Sequence, residues 1–462
     1  MVRALGYFIL LAAVMAAVAW FADRPGEVTI VWQGWRIDAS VGMVVLAVGI
    51  VAAVAAALHH LWWRIRRLPR GWARRRHDLR RRRGYLALTQ GMVAVAAGDP
   101  DEAQRQARRA DVLLSEPPLT MLLSAQAAQL MGDDNAANRY FTAMLERPET
   151  AFLGLRGLLM GAMRRGDRKA ALDLARRARL LRPRTPWVLT TLFELETTAG
   201  ELAAAELTLG DAIDNGAFAA AAGRRKRAVL LAEKSRVDDA AGRAAEALAA
   251  AKQAVAADPT LVPASARWSR LLAASGRARK AAKVAEAAYA LSPHPDLVQA
   301  FLGARGETDP VLRYQRVEGL SRSAPDHPES RFALAEAALA ARLWGEARRH
   351  LPTLNGHLEA RHCRLMAQVE EGEHANREAA SLWLARAAGG GADGAAPDPT
   401  WVCGNCGAVA ASWTALCGHC GNFDTLAWRE PGWIAPKVGA APPPLLAAAT
   451  AIAATPGSEP AA

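Results

Sequence analysis

The sequence predicts an all-α chain with a membrane anchor at its N-terminus, a helical repeat through its middle and a small cysteine-rich module near its C-terminus. Hydrophobic residues make up 52% of the 462 residues but aromatics only 6%, the composition of Ala/Leu-rich helices rather than of a sandwich or barrel. Two long uncharged stretches open the chain, and glycines then recur at a fixed spacing. Four of the five cysteines crowd into residues 403–420.

The anchor comes first. Ala4–Ala22 is nineteen residues without a charge, and Ala39–Trp63 is twenty-five with His59 and His60 neutral. Each is long enough to cross a hydrocarbon core of roughly 30 Å as a helix. Residues 1–63 are therefore expected to be two transmembrane helices joined by the short loop "DRPGEVTIVWQGWRID", of net charge −1, on the translocated side. Ala17-Val18-Ala19 resembles a processing site, but cleavage there would leave the second span and the orientation unchanged. Trp20, Trp32, Trp35, Trp62 and Trp63 fall near the span ends, where indoles prefer the interface.

Residues 64–83 form a collar with eleven Arg and one Asp, which supplies +10 of the net +12. A polybasic flank resists translocation, so the C-terminal bulk is expected on the cytoplasmic side, with the collar on anionic lipids at about 1 kcal/mol per residue. The chain beyond the collar carries only +2, which argues against nucleic acid as the partner. His59-His60 could ligate a haem only inside a shaped pocket that the sequence does not show, so haem has no support from the residues.

The repeat occupies residues 84–388. Gly98, Gly132, Gly166 and Gly200 are each 34 apart, as are Gly242 and Gly276. Five residues after each stands an alanine: Ala103, Ala137, Ala171, Ala205, Ala247 and Ala281. Twelve after stand Ala110, Met144, Ala178, Ala212, Ala254 and Ala288, and Pro183, Pro259 and Pro293 follow at seventeen. A period of 34 is that of the tetratricopeptide repeat, in which glycine permits the inter-helix turn and small residues let the two helices of a hairpin close up. Gly200 and Gly242 are separated by more than this period, and the eight-residue excess is expected in the loop around 215–224. Eight or nine hairpins, the last over 360–388, are expected to stack as a right-handed superhelical solenoid. Its concave face would bind a peptide, a helix or a partner domain.

A flexible linker, residues 389–400, leads to a ribbon over 401–433 and an Ala/Pro tail over 434–462 that is expected to be disordered. Cys403, Cys406, Cys417 and Cys420 form two Cys-x2-Cys knuckles ten residues apart, able to place four thiolates around one structural zinc. Rubredoxin-type iron would use the same ligands, and a dithiol redox pair would need two of them. Zinc is favoured because no electron-transfer partner is evident. Four sulfurs close the coordination, leaving no position for a catalytic water. His419 is expected to face solvent and Cys363 to be a buried small hydrophobe. Together with Trp413, Phe423 and Thr425, the knuckles resemble the rubredoxin-like zinc ribbons of the lipopolysaccharide assembly protein LapB and the recombination protein RadA, where they dock or stabilise.

The segments "WFADRPGEVTIVWQGWRIDAS", "GYLALTQGMVAVAAGDPDEAQRQARRADVLL", "PLTMLLSAQAAQLMGDD", "FLGLRGLLM", "PWVLTTLFELE" and "SPHPDL", with the second span and the Arg collar, resemble the HemY family. The resemblance covers nearly the whole chain. It implies a multi-pass protein of the bacterial inner membrane with cytoplasmic tetratricopeptide repeats, linked by the family name to a late step of protohaem biosynthesis. No dinucleotide-binding Gly-rich strand-turn-helix is visible, and no catalytic motif carries over, so a non-enzymatic scaffold or adaptor is expected. Its partners would be proteins, haem-biosynthetic enzymes among them. The alternatives are a LapB-like adaptor in envelope assembly and a haem carrier.

Overall fold

The computed structural model describes residues 26–114, 117–351, 358–389 and 395–432, together with Ala12, Ala16, Ala19 and Trp20. The expected first span, apart from those four residues, and the C-terminal tail lie outside the described residues. The chain divides into two compact units, residues 1–124 and 125–462.

In the first unit, β1 (Glu27–Trp32) and β2 (Trp35–Ser40) pair antiparallel where length and charge suggest only a loop. The alternation in "EVTIVW" and the Gln33-Gly34 turn carry this hairpin: both turn residues have positive φ, at 55° and 89°, as a two-residue turn matched to strand twist requires. Helix α1 (Val41–Ala97) follows with no intervening residue. Among the described residues, its Val41–Trp63 portion is the one segment long and apolar enough to cross a membrane, and none of its most apolar window is buried. The helix runs unbroken through the Arg collar into the first repeat, so the expected divisions at 63/64 and 83/84 fall inside one helix. His59 and His60 are consecutive on it, about 100° apart around its axis, and so do not face a common ring. Helix α2 (Pro100–Leu113) packs back on α1, and a side chain at Gly84 would meet Leu114 at 2.5 Å.

Helix α3 (Pro117–Leu130) carries the boundary between the units. The second unit continues as helical hairpins: α4 (Asp134–Met144), then α5 (Pro148–Arg164) with α6 (Arg168–Leu181), α7 (Pro186–Thr198) with α8 (Leu202–Asp214), and α9 (Ala220–Ala240) with α10 (Ala244–Ala257). They are followed by α11 (Val262–Ala274) with α12 (Ala278–Leu291), α13 (Pro295–Gly303) with α14 (Pro310–Ser321), α15 (Pro328–Ala340) with α16 (Trp344–His350), and α17 (Ala360–His374) with α18 (Arg377–Ala387).

The repeat signature has a direct structural cause. The six glycines end the first helix of each hairpin with φ between 73° and 77°, a conformation that L side chains resist. Asp99, Asp133 and Asp167 then cap the second helix by accepting the backbone N–H three residues on. The alanines five residues after the glycines are at most 2% exposed. At the two last hairpins Arg342 and Ala375 hold the left-handed position instead, at φ 55° and 51°, which is why the glycine signal fades there. Ala347 and Ala380 still fill the close-packing site.

One expectation is corrected. The eight-residue excess between Gly200 and Gly242 is not in the loop, which is only residues 215–219. It lengthens α9 to 21 residues against 13 for α7 and α11, adding about two turns at its N-terminal end.

Candidate functional site

The ribbon is a three-stranded sheet in the order β4-β3-β5, with β3 at Thr400–Cys403, β4 at Val409–Ala410 and β5 at Leu426–Arg429. Each knuckle closes on a backbone bond back to its first cysteine: Gly407 N to Cys403 O at 3.0 Å and Gly421 N to Cys417 O at 2.8 Å. Of the four ribbon glycines beside the cysteines, only Gly407 and Gly421 take positive φ.

All four sulfurs lie within 4.8 Å of one another, close enough to hold one metal ion. Cys403 and Cys420 Sγ are 3.7 Å apart, and Cys406 and Cys417 Sγ 3.8 Å. Metal–sulfur bonds of about 2.3 Å in a tetrahedron give edges of about 3.8 Å, so the donor set fits. Around it, Asn405 N donates to Cys403 Sγ at 3.4 Å, and Thr425 Oγ1 lies 3.2 Å from the same sulfur. Burial raises the Cys403 thiol, but these contacts outweigh it and bring the group down to about 6. His419 is exposed, as expected, and Cys363 is fully buried in α17.

The ribbon does not stand apart from the repeats. It sits on the first helices of consecutive hairpins. Phe423 meets Phe193 of α7 edge-on at 5.3 Å, and Phe193 meets Phe218 at 5.9 Å. Lys226 Nζ lies within 5.8 Å of all three ring centres, a cation enclosed by aromatic faces. The neighbouring Arg225 donates to Asp424 through Nε and Nη2 at 3.2–3.3 Å, and through Nη1 to Asp258 at 3.1 Å. Burial raises the Asp258 carboxyl, yet the Thr260 hydroxyl and N–H together with Arg225 hold it below its usual range. Both Arg225 and Lys226 stand on the eight-residue extension of α9, so the insertion in the repeat is what builds this dock.

A second contact lies further along. His294 caps α13 by accepting Asp296 N at Nδ1, 3.1 Å away. Its ring lies 4.5 Å from Trp428 and 5.3 Å from Trp401, and burial pushes its pKa down. Trp428 Nε1 donates to Glu329 at 3.4 Å, and Arg361 forks onto the same carboxylate at 2.8 Å through both terminal nitrogens. The end of the linker is fastened too. Ala396 pairs with the chain before α17, and Asp398 accepts from Arg361 N at 2.6 Å and pairs with Arg364.

Sequence reasoning found the four cysteines, Trp413 and Phe423 but missed the receiving residues Phe193, Phe218, Arg225, Lys226, His294, Glu329 and Arg361. The available signal was the out-of-register repeat, whose extra residues include the basic run Arg224–Arg227.

Comparison with known proteins bears on the other end of the chain. Residues 26–132 match the family model described as HemY protein N-terminus. Those residues resemble the N-terminal region of HemY proteins. They comprise the β1–β2 hairpin, α1, α2 and α3 as far as the Gly132 turn. Protein HemY of Escherichia coli is 30% identical over 150 residues, 32% of this chain and 37% of that protein. The probable magnetosome protein Mms48 of Magnetospirillum gryphiswaldense is 27% identical over 449 residues, 93% of this chain and 94% of that protein. Among solved structures, Naa15/Naa10 bound to HypK-THB overlaps 66% of this chain and 50% of its own at 14% identity, with a TM-score of 0.42. The TPR2AB-domain:pHSP90 complex of yeast Sti1 overlaps 66% of this chain and 98% of its own at 15% identity, with a TM-score of 0.26. The HemY-type region ends at residue 132, so the ribbon and its dock lie beyond it.

Proposed function

We propose that this chain is a non-enzymatic scaffold of the bacterial inner membrane, which gathers protein partners on its tetratricopeptide hairpins in a late step of protohaem biosynthesis. The observation that carries the scaffold reading is the ribbon itself. The first helices of the hairpins already bind a folded protein module, through an aromatic cage, a forked arginine–carboxylate pair and the stacked rings of His294, Trp401 and Trp428. That is the chemistry of protein recognition rather than of catalysis. The haem pathway is assigned from the HemY-type N-terminal region alone.

In this reading α1 crosses the membrane and the Arg collar sits on anionic headgroups, with the repeats in the cytoplasm. Cys403, Cys406, Cys417 and Cys420 hold a structural zinc, which fixes the ribbon in the shape that fits its dock. The near-full-length similarity to Mms48 favours a second reading, a scaffold for a specialised membrane compartment.

Crosslinking in the native membrane with mass spectrometry, on the full chain and on a chain truncated after Ala388, tests the assignment. Recovery of ferrochelatase or porphyrinogen-oxidising enzymes is the expected result. Recovery of envelope-assembly components, or of compartment proteins with no tetrapyrrole enzyme, would overturn the haem assignment and leave the scaffold.

A further inference from the structure

The β1–β2 hairpin is sided. Its register pairs Val28 with Ala39, Ile30 with Ile37 and Trp32 with Trp35 on one face, and Glu27 with Ser40, Thr29 with Asp38 and Val31 with Arg36 on the other. Side chains opposite one another across an antiparallel ladder share a face, so the first set is wholly apolar and the second mostly polar, with Arg36 paired to Asp38 at 3.6 Å. The apolar face is open: Ile30 is 48%, Ile37 60% and Trp35 78% exposed. A lone two-stranded hairpin with such a face is marginal in water, so its stability requires a cover.

Its position says what covers it. Ser40 leads into α1 with no linking residue, and Val41 N donates to Gly26 O at 3.1 Å, clamping the root of both strands to the first turn of the apolar segment. The hairpin therefore cannot leave the level at which Val41–Trp63 enters the bilayer. Six-residue strands reach only about 20 Å. Two strands also leave unpaired backbone edges that the hydrocarbon core does not tolerate, so the hairpin cannot insert across the membrane. The headgroup boundary accepts both of its sides.

We propose that the β1–β2 hairpin is a membrane-interface foot, its Val28, Ile30, Trp35, Ile37 and Ala39 face lying in the headgroup region of the leaflet that α1 enters and its Arg36–Asp38 face in water. The proposal rests on α1 being a membrane anchor. Held at two places, by its span and by this foot, α1 would be restrained in tilt and rotation.

The test uses the full chain in vesicles of phosphatidylethanolamine and phosphatidylglycerol. A clickable non-canonical residue at position 30, 36, 37 or 38, one at a time, carries an environment-sensitive NBD dye. Dyes at 30 and 37 should emit at short wavelength and lose most of their intensity to lipids bearing a quencher near the headgroup. Dyes at 36 and 38 should emit as in water and keep their intensity. Agreement between 30 and 37, on opposite strands, shows that labelling has not unpaired the hairpin. Water-like emission at 30 and 37 from protein that floats with the vesicles would overturn the proposal, as would blue-shifted emission there that lipid quenchers leave untouched, which would show a protein cover. Protein that fails to float would overturn the membrane anchor, and the foot with it.

Discussion

At the scale of single residues, the ribbon is held by two contacts of different kinds. Phe423 contributes apolar burial against Phe193, while Asp424 contributes a charge to Arg225. Phe423 is half-buried, so Phe423→Ala should weaken docking by about 1–2 kcal/mol. Increased protease cleavage between the array and the ribbon, with helical circular dichroism unchanged, would register it. Arg225 and Asp424 should show a coupling of about 1 kcal/mol in a double-mutant cycle. Additive losses from the two alanine substitutions would show that the pair is incidental.

His294 adds a pH dependence whose sign follows from its burial. Its folded pKa lies below the ordinary value of 6.5 because burial disfavours the imidazolium, although Asp296 and Glu329 oppose this and Arg361 reinforces it. A base with a depressed folded pKa contributes fully above its unfolded value, and that contribution is lost as pH falls through the lowered one. Docking should weaken as pH drops below about 6.5, and His294→Gln should remove that slope. Thermal unfolding of the two proteins across this range would show it; parallel slopes would exclude His294 as the cause.

At the scale of elements, the repeat is legible in the sequence because glycine and alanine report on geometry that few other residues satisfy. Gly98 to Gly276 occupy left-handed turns, and the alanines after them are buried at the close helix–helix contacts. The last hairpins are harder to read because Arg342 and Ala375 adopt the same turn without the residue that signals it. A non-glycine residue there is strained by about 1–2 kcal/mol, so Arg342→Gly and Ala375→Gly should each stabilise the protein by about 0.5–1 kcal/mol. A higher urea midpoint with an unchanged slope would verify this, and a lower midpoint would mean that the native side chains make compensating contacts. The β1–β2 hairpin escapes a sequence reading because six-residue strands beside a long apolar segment look like a loop when judged by length and charge alone. The α9 extension shows in the sequence as eight surplus residues but reads as a turn, since periodicity counts residues and does not say whether they are helical.

At the scale of the molecule, sequence spacing locates the cysteine cluster but cannot show where the ribbon rests. Its receiving residues come from α7, α9, α13, α15 and α17, well separated in the chain, and are gathered only by the stacking of successive hairpins. The resulting account is of an N-terminal region similar to that of HemY, followed by an array whose first helices hold a ribbon with four cysteines placed to bind a metal ion. A metal held by these cysteines would control more than the ribbon. A domain too small for its own core would lose its fold on removal of such an ion, and the first helices of the array would lose the module that covers them.

Hydrogen exchange on the full chain in detergent, before and after chelation, tests this most directly. The account predicts that residues 401–429 lose protection and that the α9 extension, residues 220–227, and the start of α13 lose protection with them, while the second helices α6, α10 and α12 stay unchanged. A ribbon that opens while 220–227 and α13 exchange as before would contradict the account, because the first helices would then not depend on the ribbon.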